Sequence, residues 1–220
     1  VPTHSEALAR LQARHTGAIA DLAARLLEIG DDWQILPAQR HTAATAWRPD
    51  APFVLIDGDL DVEGNLVVTT GRHDQGALIV LGDVRCRHAI TGHDQHLLVT
   101  GDLVATHAVV AELGNSSTHV GGTLRTDTLL SGRGAWLSLA SAEGFQATHC
   151  SAYVMVGDTP LKPAVPASMA DRLVDEVLDR EEWDDMDPED REQEDIDDLV
   201  MLDESAALRH LAAGGDLLRA

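Results

Sequence analysis

The sequence predicts a mainly β protein: a single-stranded, parallel, right-handed β-helix of about five rungs, capped by an N-terminal helix and an acidic C-terminal helical region. Two observations carry this. The phrase Gly-Asp-hydrophobic recurs after short apolar runs, at Gly58-Asp59-Leu60, Gly82-Asp83-Val84 and Gly101-Asp102-Leu103, with a weaker copy at Gly121-Gly122-Thr123-Leu124 and a decayed one at Ser141-Ala142-Glu143-Gly144. The glycines Gly58, Gly82, Gly101 and Gly122 lie 24, 19 and 21 residues apart. A unit of that length cannot bury its own apolar face, so successive copies must stack. The second observation is period two after each glycine: in Leu60-Asp61-Val62, Val84-Arg85-Cys86 and Leu103-Val104-Ala105 the outer pair suits an interior and the middle residue faces out.

Taken in order, the chain opens with a helix over 5–29, where Leu8, Leu11, His15, Ala18, Ile19, Leu22, Leu26 and Ile29 share one face, Ser5 is the N-cap and Gly30 the stop. Residues 1–36 form this capping unit, and 37–52, which has no clean period, is a connector over the surface. The solenoid spans 53–160. Six residues past each corner come Gly64, His88, His107, Thr128 and His149, and a second apolar strand follows each. Parallel stacking leaves two open sheet edges that need cover; the N-terminal helix suits the first rung and the C-terminal region the last. Residues 161–220 are acidic and helical. Ser168 starts a helix with Met169, Leu173, Val177 and Leu178 on one side, Asp187-Pro188 restarts one, and Asp203 begins a last helix that ends at Gly214-Gly215.

Charge narrows the function. Against 37 acids stand 16 bases, for a net charge of −21, and Lys162 is the only lysine. Residues 168–220 hold 19 acids and 5 bases, and 181–198 alone hold twelve acids and one base, Arg191. A phosphate backbone requires the opposite sign, so nucleic acid is excluded as a direct partner. No apolar run reaches the ~20 residues of a membrane span, and Val-Pro-Thr-His-Ser-Glu lacks the plan of a signal peptide, so a cytoplasmic location is expected. Trp183, Met186, Ile196 and Leu199 interrupt the acidic run. Apolar anchors inside dense negative charge suit a basic protein partner, with Glu181, Glu182, Trp183, Asp184, Asp185, Asp187, Glu189 and Asp190 as the contact residues.

Other constellations have structural explanations. Asp59, Asp83 and Asp102 form a column that could recruit a cation, but an aspartate after glycine also accepts a backbone N–H where the chain turns. His73-Asp74-Gln75 and His93-Asp94-Gln95-His96 fall at equivalent turns, where repeats copy turn chemistry; a metal or a proton-transfer pair is the alternative there. Cys86 and Cys150 have no CxxC spacing and act as small apolar fillers. His149 beside Cys150 lacks an oxyanion hole. Gly132-Arg133-Gly134 lacks the helix and lysine of a phosphate loop, and a hexapeptide acyltransferase period is missing. No cofactor, no metal and no catalytic residue is expected.

The apolar-x-Gly-Asp-Leu/Val-x-small phrase at 58–62, 82–86 and 101–105 resembles the parallel β-helix of bactofilins, bacterial polymer-forming scaffold proteins. That resemblance implies the architecture and, through exposed ends, self-association. The flanking helical regions depart from it and imply a monomer or small closed oligomer. The chain is also similar in overall character to β-helix immunity proteins of bacterial polymorphic toxin systems, which bind and neutralise a toxin domain. The resulting expectation is a non-enzymatic binding protein, an immunity protein that occludes a basic toxin domain. A bactofilin-like scaffold is the alternative, and a metal-dependent enzyme using the His-Asp turns a weaker one.

Overall fold

In a computed structural model, described here for residues 4–42, 46–69, 75–111, 115–132, 134–145, 147–149, 153–162, 168–194 and 196–219, the chain is a parallel β-solenoid of about five turns with helices along its sides. Strands β1 (Gln34–His41), β2 (Ala46–Trp47), β3 (Phe53–Val62), β4 (Asn65–Val68), β5 (Gly76–Val80), β6 (Val84–Thr91), β7 (Gln95–Val99), β8 (Leu103–Ala111), β9 (Ser117–Ser131), β10 (Trp136–Glu143), β11 (Ala147–His149) and β12 (Val154–Val156) pair in parallel. A short β13 (Thr159–Pro160) turns back antiparallel on β12.

The solenoid begins one coil earlier than the sequence predicts. Residues 37–41 and 46–47 are strand rather than surface connector: β1 pairs with β3, and β2 with β4. The Gly-Asp signal is missing there because Pro37-Ala38 occupies the corner beside Gly58, whose φ is +144°. The inward positions of this coil are also polar, with Gln39 level with Leu60 and His41 level with Val62.

Each full coil has three strand segments, and period two sorts their side chains. Inward columns such as Leu60, Val84, Leu103 and Leu124 are wholly buried. Burying each such side chain contributes about 1.5–3 kcal/mol. On the first face the outward column runs Ile35, Leu55, Ile79, Leu98, then His119, Ser138 and Met155. The apolar half of that column lies under two helices, α1 (His4–Arg14) and α2 (Ala18–Leu27), through Ala7, Leu11, Ala23, Leu26 and Leu27. The expected single helix is therefore a hairpin. His15 N–H still closes α1 on the Leu11 carbonyl, and Gly17 at φ +82° reverses the chain. Arg10 and Arg14 hold α1 to Asp57 at 3.0 and 2.9 Å.

A second face carries the outward column Val67, Ile90, Val110 and Leu130. It is covered by Met169, Leu173, Val177, Leu202, Ala207, Leu211 and Leu217. This C-terminal cover is built from α3 (Met169–Arg172), α4 (Glu181–Asp185), α5 (Pro188–Arg191), α6 (Ile196–Leu199) and α7 (Glu204–Ala212). Ser168 caps α3 by accepting the Asp171 N–H, and Asp203 caps α7 by accepting that of Ala206 at 2.9 Å. The helix expected through Val177 stops at Arg172, and Asp175–Val177 continues as one 3-10 turn. Among the described residues no element covers the remaining, bare face, whose outward column runs Arg40, Asp61, Arg85, Val104, Arg125 and Glu143.

Both helical regions thus lie along the sides rather than over the ends, which corrects the capping expected from sequence. Each end is blunted by its own strand. At the first, β1 carries Pro37, which has no N–H, a register break between Pro37 and Gln39, and the charge of Arg40. At the last, β13 closes β12 and ends on Pro160. Prolines, bulges and charges of this kind stop a sheet edge from pairing further.

Candidate functional site

The acidic segment lies within the C-terminal cover, on short elements that project its charge outward. Asp187 precedes Pro188 at the first position of α5, the restart expected from sequence, although its side chain makes no cap bond. Glu181, Glu182, Asp184, Asp185, Asp187, Glu189 and Asp190 are all exposed, and Trp183 is half-buried. Among the described residues of 181–194, Asp184 is the only acid in an ion pair, 3.7 Å from Arg180 Nε. Arg191, the single base, lies 5.8 Å over the Trp183 ring and donates to the Asp184 carbonyl at 2.6 Å. The anchor proposed from sequence is therefore partly covered by its own arginine. α6, carrying Ile196 and Leu199, packs against α3 and α4 within the region.

The aspartate column is an interlock between coils. Asp59 Oδ1 accepts the Asp83 N–H at 2.9 Å, Asp83 Oδ1 that of Asp102 at 2.9 Å, and Asp102 Oδ1 that of Thr123 at 2.8 Å. The glycine is the other half of the device. A Cβ on Gly82, Gly101 or Gly122 would overlap the carboxylate of the preceding coil and come within 2.7–2.9 Å of the glycine backbone beneath it. Each Asp-Gly pair locks one coil onto the next. The Thr123 N–H and then the Arg125 guanidinium hold Asp102 below the usual carboxylate range. These carboxylates are already committed to N–H groups and arginines (Arg85 on Asp83, Arg125 on Asp102).

The turn at His93–His96 is committed as well. His73 and Asp74 lie outside the described residues, as does Cys150. His93 Nε2 is 3.2 Å from Asp94, and Asp94 in turn accepts from the Asn115 amide at 3.1 Å. His96 Nδ1 meets the Ser117 hydroxyl at 2.8 Å, and its Nε2 lies 3.4 Å from the Gln75 amide nitrogen. The His93 N–H donates to Glu204 on α7, which also accepts from Thr69 at 2.8 Å, so this turn anchors the C-terminal helix. Among the described residues no group of three His, Cys, Asp or Glu side chains is arranged to hold a metal ion.

His88 is fully buried. Its Nε2 lies 3.0 Å from Asp216 Oδ1, and Asp216 also takes Arg87 and the Leu218 N–H. Burial pushes the His88 imidazole down to about 4 despite that carboxylate. The histidines six residues past the second and third corners are out of register, because β8 has one extra residue at its corner. His88 is level with Ala108 and Thr128, while His107 sits on the bulge with its ring 5.3 Å away. Cys86 is buried, and its thiol is raised by burial to about 12, which suits a filler. The Asp216 latch and the Glu204 anchor escape sequence reasoning, because their partners lie more than a hundred residues away.

The buried imidazoles predict an acid limit to stability. His119, on the first face, is likewise lowered to about 4, first by burial and then by His96 and Arg25. Both values lie below the ordinary 6.5, so the unfolded chain binds more protons between pH 6.5 and 4. Stability is therefore complete above that window and falls as pH drops through it, by on the order of 2 kcal/mol per histidine. Urea unfolding at pH 7 and pH 4.5 should show this loss, and His88→Gln/His119→Gln should flatten it. An equal loss in the double variant would show that other groups set the acid limit.

Among the described residues no helix is long and apolar enough to cross a membrane. Comparison with protein-family models, with curated proteins and with solved structures finds no match.

Proposed function

We propose that this chain is a non-enzymatic binding protein that docks a basic protein domain on its acidic segment, in the manner of an immunity protein occluding a toxin domain. The observation that carries the reading is the uncompensated charge of 181–194: seven named carboxylates are exposed, and one ion pair draws on them. Such a surface raises the encounter rate with a cationic partner and weakens with salt. The His93-Asp94 turn and the aspartate column favour no reaction, because their hydrogen bonds are spent on holding coils and α7 in place. A self-associating scaffold is the second reading. It has in its favour that no helix among the described residues covers the ends, and against it the proline, register break and arginine of β1 and the antiparallel closure at Pro160.

The test is binding kinetics with a basic partner captured from the native cell, at two salt concentrations. Converting Glu181, Glu182, Asp184 and Asp185 to their amides should slow association at least about tenfold at low salt and flatten its salt dependence. Trp183→Ala should mainly speed dissociation, since it removes a packed contact. An unchanged association rate in the amide variant, with circular dichroism confirming the fold, would move the binding surface to the bare face.

A further inference from the structure

The first coil breaks the rule that every later coil obeys. Inward positions that hold leucine or valine above hold Gln39 and His41 here, level with Leu60 and Val62. The space between them is not filled. A cavity of about 200 Å³ opens at this end, floored by Leu36 and Val54 and walled by Gln34, Gln39, His41 and Trp47. Asp50, on the rim, carries the one fixed charge among the lining residues. Polar groups at inward positions of a repeat whose other copies are aliphatic are where a fold departs from its own pattern for a purpose.

The lining sets hydrogen-bond acceptors beside an aromatic wall. His41 Nε2 is buried and has no hydrogen-bond partner among the described residues. Its ring stacks on Trp47 with centroids 4.7 Å apart and planes 24° apart, which fixes the imidazole's orientation. Gln39 Nε2 is used in donating to the Pro37 carbonyl at 2.9 Å, so the amide oxygen is its remaining acceptor. The Asp50 carboxylate and the glutamine amide oxygens accept, and the indole adds an aromatic wall. A planar cation with several N–H donors answers each of these groups, since guanidinium donates in its plane and stacks on aromatic faces.

We propose that the mouth of the first coil is a binding site for a guanidinium group. Asp50 balances its charge, the glutamine oxygens take its N–H donors, and Trp47, stacked on His41, lines one side. The group is supplied by a free small guanidine compound or by an arginine side chain of a partner protein. The inference is independent of the acidic segment, which lies in a different part of the chain.

The experiment is an NMR titration of the full chain that follows the Trp47 indole N–H, assigned through Trp47→Phe. Methylguanidinium chloride is the probe, methylurea its neutral control, and a short arginine peptide is paired with its citrulline counterpart. Methylguanidinium or the arginine peptide should shift Trp47 and bind at least about tenfold more tightly than its neutral control. Asp50→Asn, a rim substitution that leaves the core intact, should remove that preference. A shift with methylguanidinium identifies a free compound as sufficient, whereas a shift with the arginine peptide alone identifies a partner's side chain. Equal binding of charged and neutral probes, no shift with either cation, or a preference that survives Asp50→Asn would overturn the proposal.

Discussion

Gly101→Ala is expected to destabilise the chain by about 4 kcal/mol, well above the ~1 kcal/mol of an ordinary substitution. The new methyl would overlap Asp83 Oδ1 and lie 2.8 Å from the Gly82 carbonyl oxygen, which accepts the Gly101 N–H at 2.9 Å. The backbone cannot withdraw without breaking that bond and the next one, from Gly122 N–H to the Gly101 carbonyl at 2.9 Å. Asp83→Ala alone should cost about 1–3 kcal/mol, because it leaves the Asp102 N–H without its acceptor. In the double variant the methyl meets no carboxylate, so the combined loss should fall short of the sum by about 1 kcal/mol or more. Urea denaturation of the three variants checks this. A Gly101→Ala loss under 1 kcal/mol, or strict additivity, would mean that the Gly-Asp phrase is not an interlock.

Trp33→Ala is the second large effect, with an expected loss of about 3–5 kcal/mol. Trp33 is wholly buried at the foot of the helical hairpin, 5.4 Å from the Phe53 ring. Its indole N–H donates to the carbonyls of Leu27 and Gly30 at 3.1 and 2.9 Å, fixing how α2 turns into β1. Without it the hairpin loosens from Leu55, Ile79 and Leu98, and an apolar stripe across three coils becomes accessible. Dye binding to exposed apolar surface should rise at denaturant concentrations where the solenoid is still folded. A small loss with no new dye binding would show that the hairpin's hold on the solenoid does not depend on Trp33.

The parts of the fold visible in sequence were those whose cause is local. The glycine and aspartate of each corner act at one place in every coil, so Gly82-Asp83 and Gly101-Asp102 announce themselves. Period two sorted Leu103, Val104 and Ala105 correctly, and Asp203 marked the start of α7. What was missed depends on distant partners. β1 is a strand because β3 offers it an edge, and its own inward residues, Gln39 and His41, hide the pattern. His88 looks polar and exposed until Asp216 arrives from the far end of the chain. One extra residue in β8 moves His107 off the register that counting six residues from each glycine had given it. The helix pair was legible as an apolar face, but the face continues across Gly17, so the reversal was not. Of the acidic segment the sequence told the charge and its density; the position of Arg191 over Trp183 needed coordinates.

Whether this solenoid works as a discrete binding module or as a self-assembling rod is decided most directly by the mass of the intact chain in solution. Sedimentation velocity at micromolar concentration and at two salt strengths should give one boundary, at the 23.6 kDa of a single chain, unchanged by salt. The edge devices at Pro37, Arg40 and Pro160 predict that result, and it leaves the acidic segment free for a basic partner. A concentration-dependent series of larger species, or filaments, would contradict it and make self-association the chain's function.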